Sequence, residues 1–208
     1  MSRFVLLAVV LFGFSWSSPA LAAKPQLPEI SVAQKKDLDA GKLIFITDNP
    51  EKGPSVVTGL AEIRVSAEKL WTLLLDTSEI KRASKSVKEL NTYIDAVDDA
   101  GVRTIGLNYL VKSGPISLRY FVKRRYLAKE GYMTWQLDAD HESDLAETTG
   151  SYSTHASDHE GRVLFLYRAS VDVGKNVPAW IEERLAAKSL KNYLQHIKVL
   201  AEGGLPQQ

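Results

Sequence analysis

The sequence predicts an α+β domain in which a curved antiparallel sheet of about six to seven strands grips one long C-terminal helix, with two short helices after the first strand. Three observations predict it. First, the stretch Gly161 to Ala201 reads as a strand (Arg162–Val171), a turn (Asp172–Asn176) and an amphipathic helix opened by Pro178, whose missing N–H costs nothing in a first turn. Its apolar residues Ile181, Leu185, Leu190, Tyr193, Leu194, Ile197 and Leu200 give one face, stepped by threes and fours from Leu190 onward. Second, the strand candidates upstream alternate apolar and polar, so the sheet has one greasy and one wet face. Third, a one-sided sheet cannot close on itself as a sandwich, so the final helix has to cover it.

The chain has 208 residues, 45% hydrophobic and 25% charged, with a formal net charge of +1. That is an ordinary globular composition. Basic residues are scattered with no basic block, so no nucleic-acid partner is expected. With no cysteine, disulfides, thiolate metal sites, a cysteine nucleophile and a lipidated cysteine are excluded. Residues 1–22 read as a secretory signal: Arg3, an apolar run from Phe4 to Phe14, a polar break to Pro19, and Ala20-Leu-Ala22 as a small-x-small cleavage site. The run is too short to span a bilayer, for which about 20 apolar residues are needed. An exported protein is expected, periplasmic if the source is Gram-negative. Removing Arg3 takes the 26 basic residues to 25, equal to the acidic count.

In chain order, residues 23–54 form an N-terminal extension. It holds a proline-containing linker, a short helix from Ser31 to Gly41, a strand from Lys42 to Thr47 and a loop of turn residues. The main domain, residues 55–203, opens with an alternating strand, Val56–Val65. Ser66 caps a helix over Ala67–Leu75, and Ser78–Ala83 is a second short one. Strands follow at Val87–Val97, Arg103–Val111, Ile116–Tyr126, around Met133–Leu137, and at Thr148–Ser157. Asp98–Gly101, Ser113–Pro115 and Glu130-Gly131 turn the chain between them. In Ile116–Tyr126, Ile116, Leu118, Tyr120, Val122 and Tyr126 share a face, with Arg119, Lys123 and Arg125 mostly opposite. Residues 204–208 are a tail.

Three local stretches carry a resemblance. Arg162-Val-Leu-Phe-Leu-Tyr-Arg-Ala-Ser-Val-Asp-Val-Gly-Lys-Asn-Val-Pro178 resembles the final strand, Val-Asp-x-Gly turn and helix-opening Pro of the START-like (SRPBCC, helix-grip) superfamily, which includes polyketide cyclases and coenzyme Q-binding proteins. Ser117-Leu-Arg-Tyr-Phe-Val122 is similar to its Arg-Asp-Tyr/Phe-Val strand, with Tyr120 in place of the acid. Gly150-Ser-Tyr152 is similar to a Gly-x-Trp strand, with Tyr for Trp. The resemblance covers roughly Val56 to Ala201. It implies a deep, mostly apolar cavity between sheet and last helix holding a lipid, sterol, quinone or polyketide. Most members bind or carry and a minority catalyse, so binding is expected rather than catalysis, without a cofactor.

The candidate ligand-binding residues are Tyr109, Arg119, Tyr120, Trp135, Tyr152, Phe165, Tyr167, Trp180, Ile181, Leu185 and Leu190. The aromatic ones either line a moderate cavity or fill a solid core. Arg119 has two readings. Alternation puts it on the wet face; the resemblance implies an arginine pointing inward to a carboxylate or ligand oxygen. Trp180 suits either a transient membrane contact at the cavity mouth or ordinary helix packing. His141, His155, His159 and His196 show no helical His-x-x-x-His spacing, so no metal is expected. Asp138 to Asp144 reads as a solvated charged loop. No P-loop, dinucleotide fingerprint or nucleophile elbow occurs. The function expected is an exported monomer that binds and transfers a hydrophobic small molecule. A cyclase or aromatase acting on a polyketide-like substrate, and an interaction module with a solid core, are the competing readings.

Overall fold

The computed structural model describes residues 23–51, 53–174 and 189–204. Its strands are β1 (Ile44–Asp48), β2 (Val56–Ile63), β3 (Val87–Val97), β4 (Val102–Ser113), β5 (Ile116–Leu127), β6 (Tyr132–Leu137), β7 (Glu147–Ala156) and β8 (Val163–Asp172). They form one antiparallel sheet in the order β1-β2-β8-β7-β6-β5-β4-β3. Its helices are α1 (Val32–Asp39), α2 (Ala67–Leu75), α3 (Thr77–Ala83) and α4 (Ser189–Ala201). The start of the last helix predicted from Pro178 lies outside the described residues, as do Trp180, Ile181 and Leu185.

The sheet has eight strands where six to seven were expected. The extra one is β1, from the N-terminal extension, which pairs with β2 from Ile44↔Leu60 to Asp48↔Val56. Ahead of it, α1 starts on a reciprocal cap. Ser31 Oγ accepts from Gln34 N at 3.2 Å, and Gln34 Oε1 accepts from Ser31 N at 2.8 Å. Leu38 of α1 then packs with Ile44, Leu60 and Leu166 in a small second core. That core lies on the outer face of the sheet, so the extension covers the β1–β2 edge from the side away from α4.

The main core lies between the inner face of the sheet and α4. Helix α4 buries Leu190, Tyr193, Leu194, Ile197 and Ala201, one stripe at helical spacing. Gly59 permits the closest approach: a Cβ there would come within 2.3 Å of Leu194 Cδ1. Polar contacts fix the same end of the helix. Lys198 Nζ donates to the Glu62 carbonyl at 2.5 Å and to Glu202 Oε1 at 2.7 Å. Glu202 in turn accepts from Arg64 N at 3.1 Å. Ser66 and Asp76 cap α2 and α3 through the amides of Lys69 and Ser78. Glu79 of α3 meets His196 of α4 in a buried pair, Nε2 to Oε2 at 2.7 Å, and also takes an ion pair from Arg82.

The loop after β6, from Asp138 to Asp144, is solvated, as the sequence suggested, except at its first residue. Asp138 is 2% exposed. It accepts from the Tyr93 hydroxyl at 2.6 Å and pairs with Lys123 at 2.8 Å. Beyond Leu137, β6 no longer pairs with β5, so side chains of the loop take over. Ser143 Oγ accepts from Phe121 N at 3.1 Å and Asp144 Oδ2 from Arg119 N at 2.6 Å.

Candidate functional site

The inner face of β4–β8 is a field of aromatic residues, and its geometry follows from register. Tyr109 of β4 pairs with Tyr120 of β5, so both point inward and their rings stack 4.8 Å apart at 6°. One row across the sheet runs Ile105, Arg124, Trp135, Gly150, Ala169 and Val57. Gly150 is needed there: a Cβ would lie 2.0 Å from Trp135 Cζ2 and 2.4 Å from the Arg168 carbonyl. Its lack of a side chain lets the Trp135 indole lie flat over the strand, against Tyr152 at 4.9 Å and Tyr167 at 5.4 Å. Tyr152 also reaches Tyr167 at 4.9 Å and, across to α4, Tyr193 at 6.0 Å.

These rings surround a cavity of about 150 Å³ between sheet and helix. Of the residues expected to bind ligand, Tyr109, Tyr120, Trp135, Tyr152, Tyr167 and Leu190 line it. Phe165, fully buried, stands behind them against Tyr152 at 5.6 Å. Arg119 does not reach the cavity. Its side chain is 42% exposed on the outer face, donating to Asn108 Oδ1 at 3.2 Å and Glu89 Oε2 at 3.1 Å. Alternation therefore describes Arg119, and the inward position is taken by another arginine.

That residue is Arg124, which, like Tyr193 of α4, lines the cavity without having been among the candidates. Arg124 is 5% exposed. Its Nη2 donates to the Tyr109 hydroxyl at 2.9 Å, and its Cζ lies 5.9 Å from the centre of the Tyr152 ring. Arg124 Nε has no hydrogen-bond partner, and the Tyr193 hydroxyl lies beside that of Tyr152. The signal for Arg124 was in the pattern. It shares parity with Leu118, Tyr120, Val122 and Tyr126, the residues assigned to the inner face. Burial raises the pKa of the surrounding phenols. Tyr152 is pushed up to about 12, the Arg124 charge opposing the rise, while Tyr120, Tyr167 and Tyr193 go well above the ordinary tyrosine value. These four are neutral hydroxyls at physiological pH.

Chemically, the arrangement is an apolar chamber with one permanent cation and several hydroxyl groups on its walls. It suits a hydrophobic body that carries a single polar end.

No family model matches the chain, and no curated protein matches its sequence. Solved structures do match its fold. A STAR-related lipid transfer protein from Xanthomonas axonopodis, solved as a fragment, superposes with a TM-score of 0.58 at 14% identity, over 76% of this chain and 93% of that one. A START superfamily protein from Mycobacterium smegmatis gives 0.55 at 18%, over 71% and 97%. The Zhui aromatase/cyclase from Streptomyces sp. R1128 gives 0.54 at 14%, over 72% and 98%. At such identities the likeness is one of architecture. An antiparallel sheet wrapped on a C-terminal helix, an internal chamber and these neighbours agree: the chain has the START-like helix-grip fold.

Proposed function

We propose that this is an exported protein that encloses a hydrophobic small molecule between its sheet and α4, with the polar end of that molecule at Arg124. The carrying observation is the chamber itself: aromatic walls, about 150 Å³ of space and one buried cation with an unused donor. Burying apolar ligand surface supplies the affinity, roughly 25 cal/mol per Å² removed from water. The guanidinium supplies direction, through charge-assisted bonds of fixed geometry. The enclosed space matches a ring or head group. A lipid, sterol-like or quinone-like body requires α4 and its neighbours to move outward, since pockets for drug-sized ligands run to about 300–1,000 Å³. Export is supported by the features of residues 1–22, and a carrier of hydrophobic molecules has an evident use where they must cross water between membranes.

Native mass spectrometry of the protein purified gently from its host, with organic extraction, tests this. The expected result is close to one hydrophobic molecule per chain. Leu190→Trp, which fills the chamber from the helix side, should cut that loading at least tenfold while the protein stays folded. A clean apo mass with no uptake from a total lipid extract would overturn the proposal in favour of an interaction module or an enzyme that holds its substrate only briefly.

A further inference from the structure

The geometry points to an anionic ligand, a compact ring- or chain-bearing carboxylic acid whose carboxylate supplies the counter-charge that Arg124 lacks. This rests on reading the chamber as a ligand site and names the chemistry of what enters it.

Among the described residues, charge burial follows one rule with one exception. Glu62 meets Arg162 at 2.7 Å, and Asp138 meets Lys123 at 2.8 Å. His196 meets Glu79 and Lys198 meets Glu202, each at 2.7 Å. Each of these buried charged residues has a partner of opposite sign, or in the case of His196 a carboxylate to bind its ring. Arg124 alone has none, and the described residues lining its chamber include no aspartate or glutamate. A guanidinium stays protonated in a protein, so the charge cannot be relieved by losing a proton. The phenols of Tyr120, Tyr152, Tyr167 and Tyr193 hold their protons and offer dipoles only. The face of Tyr152 and the hydroxyl of Tyr109 offset part of the cost of the buried charge, and an ion of opposite sign would offset far more.

The free groups define the shape of that ion. Arg124 Nε–H is unengaged, so an oxygen of an anion can accept a charge-assisted bond there, beside the Nη2 that is held on Tyr109. The Tyr193 hydroxyl, on α4 beside that of Tyr152, is a further polar group lining the same chamber. The rest of the space is bounded by stacked and tilted aromatic rings. Its volume is that of a cavity that takes one benzene ring.

The test is calorimetric titration of the purified protein with a series of aryl and alkyl carboxylates (benzoate, phenylacetate, octanoate) and the matching neutral amides. At least one acid should bind tenfold or more tightly than its amide. Arg124→Met should abolish that preference, and Arg124→Lys should keep part of it. Because the cation is uncompensated without ligand, ligand-free Arg124→Met should melt at or above the wild-type temperature. If acids and amides bind equally, or if no acid binds while neutral lipids still load, the anionic assignment falls and the chamber remains a hydrophobic site. If Arg124→Met melts several degrees lower without ligand, Arg124 already has an internal counter-charge and the assignment also falls. If nothing hydrophobic loads at all, the reading beneath it falls too.

Discussion

Arg119 and Arg124 sit five residues apart on β5, on opposite faces of one strand. Arg119, on the outer face, is half exposed and held by Asn108 and by Glu89 at 3.1 Å. Arg124, on the inner face, is enclosed by tyrosines with one nitrogen unused. An odd-numbered offset along a strand is all that separates them. Elsewhere the sheet cancels its charges with neighbours across the strands: Arg103 grips Asp95 through two 2.8 Å bonds, and on the outer face Lys123 holds both Asp138 and Asp140. Among the described residues, the inner face keeps one buried charge, Arg124, without a partner of opposite sign.

The largest effect should come from breaking a compensated buried pair, the converse of removing Arg124. Glu79→Ala leaves His196 buried without its carboxylate and Arg82 without its partner, and should cost about 3 kcal/mol. Urea denaturation reads it; a loss below about 1 kcal/mol would mean that compensation inside this fold matters little, and the contrast with Arg124 would lose its force.

Glu62 sharpens the same contrast through pH. Burial on its own would raise its carboxyl pKa. Hydrogen bonds from Ser157, His159 and Arg162 outweigh burial and hold it at about 2, against an ordinary value of 4.5. A carboxyl depressed on folding adds stability above about pH 4.5, and that stability is lost as pH falls through about 2. Stability curves for wild type and Glu62→Gln should therefore converge across this acid window. Curves that stay parallel down to pH 2 would show that the cluster does not hold the carboxylate ionised.

Arg119→Ala should do least, 1 kcal/mol or less, as expected of an exposed ion pair. It should also leave ligand loading unchanged. A loss of acid-over-amide preference comparable to that expected of Arg124→Met would erase the distinction between the two faces.

Much of the architecture was legible because a sheet with one wet face writes its alternation into the chain. Val87–Val97 and Ala67–Leu75 match the predicted bounds residue for residue. The edge strand β1 was visible as a strand but not as part of this sheet, because pairing with β2 depends on a register that a five-residue segment does not encode by itself. The loop from Asp138 is solvated as its charges suggest, but the burial of Asp138 itself is not legible, because charge density alone does not show that Lys123 and Tyr93 stand opposite it. At the site, parity exposed Tyr109, Tyr120, Trp135, Tyr152 and Tyr167. It exposed Arg124 equally, but a lone cation in an apolar row looks like an interruption of the pattern rather than part of it. Its lack of a counter-charge among the described residues is a fact of three dimensions, set by what β4, β7 and α4 do not bring near it.

Helix α4 is fastened at one end. Leu194 fits over Gly59, Lys198 clamps the Glu62 carbonyl, Glu202 takes the Arg64 amide and His196 holds Glu79, all within nine residues. Leu190, which borders the chamber, lies one turn before the first of these anchors. Among the described residues, the anchors of the helix therefore gather in its C-terminal half, next to the chamber rather than around it. An outward movement of the helix that widened the chamber for a guest would keep its register with the sheet by turning about those anchors.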